Sequence, residues 1–94
     1  EPGYYREGAF GIRIENLLVV QAAPMLESSD PERDMLSWRT LTYAPIDRRL
    51  IVTEMLSREE TSWLNAYHAE VAARIRSKVS ADARVWLDDA TRPI

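Results

Sequence analysis

Arg13 and Glu15, two apart in an extended-looking stretch, are the first residues whose types and spacing could do chemistry. Residues i and i+2 of a strand share a face about 6–7 Å apart, with Ile12 and Ile14 on the opposite face. Two readings fit. One is a cross-strand ion pair on a solvated face. The other is a carboxylate ligand for a hard divalent cation, with the arginine fixing a neighbouring acidic group. Glu1 is a further carboxylate, set before Pro2-Gly3, where it reads as a strand end. His68 is the sole histidine and has no partner at metal-binding spacing, so it reads as a helix-surface or packing residue. Glu27, Asp30, Glu32 and Asp34 lack the regular spacing of a calcium loop and read as a solvated connection.

The elements that must position these groups fall into two kinds. From Phe10 to Val20, alternation around Ile12 and Ile14 gives way to Leu-Leu-Val-Val, which predicts a strand passing from half-buried to fully buried. Gly11 at its start permits a bulge or a close approach of backbone. Residues 24–34 predict a loop. Trp38 to Tyr43 alternates again and predicts a second strand, ended by Pro45. Arg49 to Val52 reads as a short extended segment or a turn.

After residue 56 the period changes. Ser57 and Glu60 form the sequence signature of a capping box. Trp63, Leu64, Tyr67, Val71, Ile75 and Val79 then recur at helical spacing and predict a long helix over 58–78. Ser80 can cap a second helix carrying Ala83, Trp86, Leu87 and Ala90, stopped by Pro93. Strands first and helices second make an α+β chain. The Leu17–Val20 run wants cover on both faces, more than two strands and two helices offer.

The 94 residues carry 12 Lys plus Arg against 15 Asp plus Glu, a net charge of −3 that excludes a protein built to neutralise phosphates. Nucleic acid is therefore no expected partner. No apolar run approaches the ~20 residues of a membrane span, and no signal peptide is evident. Cysteine is absent, which fits a reducing compartment and removes thiolate metal sites. The chain opens without an initiator methionine, so it reads as a piece of a longer polypeptide.

In order, Glu1-Pro2-Gly3-Tyr4-Tyr5, Gly11-Ile12-Arg13-Ile14-Glu15-Asn16 and Thr40-Leu41-Thr42-Tyr43-Ala44-Pro45-Ile46-Asp47 resemble the C-terminal end of Xaa-Pro aminopeptidases (aminopeptidase P), a family of pita-bread metallopeptidases. Trp63 to His68 and Trp86-Leu87 resemble the helical tail of its longer forms. The resemblance implies antiparallel strands of a pita-bread catalytic domain over residues 1–52 and a two-helix extension over 53–94. It implies removal of the N-terminal residue from peptides with proline second, by a dinuclear centre of manganese, cobalt or zinc. By similarity Glu1 binds one metal and Glu15 bridges both. Arg13 matches an arginine that pairs with a ligand carboxylate, and Tyr5 a tyrosine near the site. The family's remaining ligands, two aspartates and a histidine, lie upstream of Glu1, so this piece alone is expected to hold no metal pair and to be inactive. The full-length protein is expected to be a cytoplasmic homodimer. The competing expectation is a non-enzymatic pita-bread module for protein binding or dimerisation.

Overall fold

A turn at Gly8 sets the first pairing of the chain. The structure, a computed structural model, describes residues 2–23 and 32–94. The amide of Ala9 donates to the Arg6 carbonyl at 3.0 Å. Gly8, at the third position of that turn, has φ +69°, a conformation that type II turns reserve for residues without a Cβ penalty. Strand β1 (Tyr4–Arg6) thereby folds back on β2 (Phe10–Ile12), with Tyr4 opposite Ile12, Tyr5 opposite Gly11 and Arg6 opposite Phe10. A second antiparallel ladder joins β3 (Leu18–Ala22) to β4 (Leu36–Thr40), with Val20 opposite Trp38. Glu27 and Asp30 of the acidic stretch lie outside the described residues.

The single strand expected over 10–20 is two strands. Pro2-Gly3 precede β1, so β2 runs out of partner after Ile12, and the chain finds its next one only at Leu18 opposite Thr40. Arg13–Leu17 in between has no ladder. Thr42 closes the end of the second ribbon with its side chain: the Leu17 amide donates to Thr42 Oγ1 at 2.8 Å. That capping role, beside the Leu41 amide bonded to Leu17 O at 2.8 Å, explains why β4 stops at Thr40 rather than reaching Tyr43.

Burial on this ribbon also departs from expectation. The register puts Leu18, Val20, Leu36 and Trp38 on one face, and all four are exposed, Trp38 at 69%. The run that asked for full burial presents its apolar side uncovered.

The chain divides between Thr42 and Tyr43 into two compact units, the second being Tyr43–Ile94. In it, helix α1 (Arg58–Ile75) begins at the expected capping box: the Glu60 amide donates to Ser57 Oγ at 3.1 Å, and the Ser57 amide to Glu60 Oε2 at 2.8 Å. The helix tightens into a 3-10 turn, Arg76–Lys78, that completes the expected span to 78. Ser80 then caps α2 (Ala81–Ala90) through the Ala83 amide, 3.3 Å away. The segment 49–52, open between extended and turn, begins inside a 3-10 turn, Arg48–Leu50, whose first amides are capped by Asp47.

Leu64, Tyr67 and Val71 at i, i+3 and i+7 of α1 meet Leu87 of α2 in the core, with Tyr43, Ile46, Ile51, Leu56, Ile75, Val79 and Ile94 packed around them. Burying each large apolar side chain is worth about 1.5–3 kcal/mol, so this small cluster is the main apolar support of the helices. Trp63 and Trp86, on the same helical spacing, stay 55% and 63% exposed. Trp63 stacks on Tyr67 instead, centroids 5.5 Å apart and planes 3° from parallel.

An extended stretch, 43–46, is held against α1 by side chains rather than by a strand. The Tyr67 hydroxyl donates to Ala44 O at 2.8 Å and accepts from the Ala44 amide at 3.3 Å. His68 Nε2 accepts from the Ile46 amide at 3.1 Å. Asn65 does the same for the chain end, accepting from the Ile94 amide at 3.0 Å and donating to Ile94 O at 3.5 Å. Arg74 lies 4.4 Å from the Tyr43 ring centre, a cation–π contact.

Two outcomes follow. Tyr67→Phe keeps the ring but leaves both polar groups of Ala44, an exposed residue, to water, and should cost about 0.5–1.5 kcal/mol in urea unfolding. His68 is fully buried, and burial followed by the nearby Arg48 charge holds its imidazole below its ordinary 6.5. The folded state thus binds fewer protons than the unfolded state just below that value, and stability rises with pH there. Its contribution is complete above pH 6.5 and is lost as pH falls through the folded value. Unfolding should need less urea at pH 5.5 than at pH 7.5, and His68→Gln should flatten that difference.

Candidate functional site

The β1–β2 hairpin carries the polar groups singled out in the sequence. Tyr5 and Gly11 face each other across the ladder, and one further step of that register would set Gly3 against Arg13. Tyr5, Gly11, Gly3 and Arg13 therefore share a face. The contacts agree: a Cβ on Gly11 would fall 2.8 Å from Tyr5 Cδ1, and one on Gly3 2.7 Å from the Tyr5 hydroxyl and 2.8 Å from Arg13 Cγ. The tyrosine ring lies over both glycines. On the other face Tyr4 and Phe10 pack ring to ring at 5.9 Å.

Arg13 and Glu15 form an ion pair between Arg13 Nη2 and Glu15 Oε1. They do so outside any strand, so their closeness comes from the irregular crossing between two ribbons rather than from a pleat. It is also a pair between near neighbours and not one across strands. The Glu15 side chain remains 55% exposed and that of Arg13 34%. Glu1 lies outside the described residues. The structure thus brings Tyr5, Arg13 and Glu15 to one end of one hairpin, Tyr5 through the glycines and the arginine stem.

The donor type at Glu15 suits a hard divalent cation: a carboxylate held on one oxygen by an arginine keeps its other oxygen available for a metal. The donor number does not complete a centre. Among the described residues no three of His, Cys, Asp and Glu gather closely enough to hold a metal ion. His68 takes no part, since its Nε2 is committed to the Ile46 amide and its Nδ1 is buried without a hydrogen-bond partner among the described residues.

A second polar place went unread in the sequence. A cleft of about 290 Å³ runs between Pro45–Arg49 and the Trp86–Ala90 end of α2. Its acids are already paired. Asp47 bonds Arg49 Nη2 at 2.7 Å, which with the Arg49 backbone amide holds its carboxyl at about 2. Asp89 pairs with Arg92. Arg48, also lining the cleft, donates from Nη1 to the Arg92 and Pro93 carbonyls, so its hydrogen bonds tie the chain end. The sequence allowed a close approach at Gly11, which the Tyr5 ring makes; the clearance at Gly3 was hidden, although a glycine on either side of a tyrosine along one hairpin is a signal that could have found it.

The Arg13–Glu15 pair is too exposed to be explained by stability. Exposed pairs are worth about 0–1 kcal/mol. Arg13→Met and Glu15→Gln should each move the urea midpoint by no more than that corresponds to, and a larger loss in either would give the pair a structural purpose.

Comparison with known proteins gives this geometry a context. The chain is 39% identical over its whole length to Aminopeptidase P1 of Arabidopsis thaliana, of which it spans 14%. It is 41% identical to a probable Xaa-Pro aminopeptidase P of Tuber melanosporum, of which it spans 15%. Among solved structures it matches X-prolyl aminopeptidase from Caenorhabditis elegans, described as a cytosolic enzyme with a di-nuclear active site. That match has a TM-score of 0.79 and 33% identity, and it covers 99% of this chain and 15% of the other. The resemblance read from the hairpin and tail motifs and the α+β class are both borne out. Residues 34–94 match the model of the C-terminal region of peptidase M24, and the chain belongs to the peptidase M24 family as a carrier of that C-terminal region.

Proposed function

We propose that this chain is the C-terminal part of a dinuclear-metal Xaa-Pro aminopeptidase that releases the N-terminal residue of peptides with proline second. One observation carries the reading: the whole chain aligns with Xaa-Pro aminopeptidases; the ion pair of Arg13 with Glu15 is compatible with the ligand and supporting-arginine roles that the resemblance implies for them. In this proposal Glu1 and Glu15 are two of the metal ligands, Glu15 bridging. Arg13 keeps a ligand carboxylate ionised and oriented, and Tyr5 stands beside the site. When bound, two divalent ions, manganese foremost and cobalt or zinc as alternatives, would supply a nucleophile at neutral pH and polarise the scissile carbonyl. Carboxylate ligation suits all of these ions.

The whole protein is proposed to be a cytoplasmic homodimer acting on peptides. No helix among the described residues is long and apolar enough to cross a membrane. The exposed Trp63 and Trp86 favour a second reading of residues 53–94 as an assembly surface, and that reading can hold alongside the catalytic one. A wholly non-enzymatic module has less support, since the sequence carries Glu1, Glu15 and Arg13 where the resemblance expects them.

Assays on an Xaa-Pro peptide test the proposal. The 94-residue chain alone should release nothing, because it supplies at most two ligands. In the full-length protein Arg13→Ala should lower kcat/KM about 10–100-fold, and Glu15→Ala should lower it further. Cleavage by the isolated chain, or full activity of the Glu15 variant, sinks the assignment.

A further inference from the structure

We infer that Gly3 and Gly11 are positioning residues: they keep clear the two patches of backbone on which the Tyr5 ring lies, and Gly3 also leaves room for the stem of the Arg13 that pairs with Glu15. The functional consequence rests on the proposed reading of Glu15 as a metal ligand; the packing itself does not.

The clearances make the case. A Cβ at Gly11 would lie 2.8 Å from Tyr5 Cδ1 and 3.1 Å from Cε1. One at Gly3 would lie 2.7 Å from the Tyr5 hydroxyl, 2.9 Å from Cε2 and 2.8 Å from Arg13 Cγ. Carbon atoms in contact sit about 3.5–4.0 Å apart, so either methyl would drive the ring off its seat. The two glycines sit under opposite ends of the ring, Gly11 under one edge and Gly3 under the hydroxyl end.

Backbone conformation does not demand glycine at either place. Of the glycines only Gly8 has a positive φ, and Gly11 sits in a regular ladder position where glycine weakens a strand. The space above them is therefore the reason for the residue type. Tyr5 is 62% exposed, so its outer face has little to hold it. Its seat is the glycine floor, and the same Gly3 position adjoins the Arg13 stem. A methyl at Gly3 would press on that stem directly as well as on the ring, and would shift with it the guanidinium bonded to Glu15 Oε1.

The test compares Gly11→Ala, Gly3→Ala, Tyr5→Ala and the double variant Tyr5→Ala/Gly11→Ala in the metal-free full-length protein. Thermal unfolding and calorimetric titration with Mn²⁺ are the readouts. Gly11→Ala and Gly3→Ala should each lower the unfolding midpoint, and Gly3→Ala, which also meets the Arg13 stem, should weaken Mn²⁺ binding about tenfold. The double variant should be no worse than Tyr5→Ala alone, because the added methyl acts only through the ring. Should Gly11→Ala fail to fold, folding of the double variant supports the clash and its continued failure overturns it. Additive losses, or alanine variants matching the parent in both readouts, overturn the proposal. Glu15→Ala is the separate check on the metal reading: unchanged Mn²⁺ binding there removes that reading, while the unfolding comparison still decides the packing.

Discussion

Side chains of one helix act as the missing neighbour of an extended segment, and the helical unit depends on that substitution. Residues 43–46 run alongside α1 with no strand to receive their hydrogen bonds. Tyr67 supplies both a donor and an acceptor to Ala44, and His68 supplies an acceptor to Ile46. Asn65, one turn away, repeats the two-way bond at Ile94. Buried backbone groups left unpaired are costly, so the apolar contacts of Ile46 and Ile94 with the core become usable only because these three polar residues pair the backbone beside them. The same constraint settles the state of His68. Its Nε2 can accept an amide only while unprotonated, so packing and protonation are one equilibrium.

The hairpin unit obeys a different economy. Its ladders are short and its large side chains mostly exposed, so little apolar energy holds Arg13 and Glu15 where they are. Local devices do that work instead: the Gly8 turn fixes the register, the glycine floor seats Tyr5, and the irregular crossing from β2 to β3 lets residues 13 and 15 meet. A site that depends on geometry rather than burial suits an ionised carboxylate, which needs a donor partner and access to solvent or metal more than it needs a core.

The sequence revealed these two halves unequally, and the reason is the range of the interactions. The long helix, its capping box, the second cap at Ser80 and the stripe Leu64–Tyr67–Val71 are encoded within a few residues of each other, and all were readable. The strands depend on partners far along the chain. Nothing local in Ile12–Asn16 announces that β2 loses its neighbour there. The apolar run Leu17–Val20 read as a buried strand and is largely exposed, because cover is a property of what surrounds a segment. At the site the residue types Arg13 and Glu15 were legible; that they pair off-strand, beside a Tyr5 ring lying over Gly3 and Gly11, required the register.

The clamp on residues 43–46 also has a consequence for motion. The amides of Ala44 and Ile46 belong to no helix or strand, and loop amides ordinarily exchange with solvent through small, cheap fluctuations. Here their acceptors are side chains rooted in α1, one stacked under Trp63 and the other fully buried. Releasing either amide requires disturbing the helix face that forms the core. These two loop protons should therefore share the slow exchange of the helix, so the most cooperative part of the unit extends into a segment that its backbone shape would class as the most mobile.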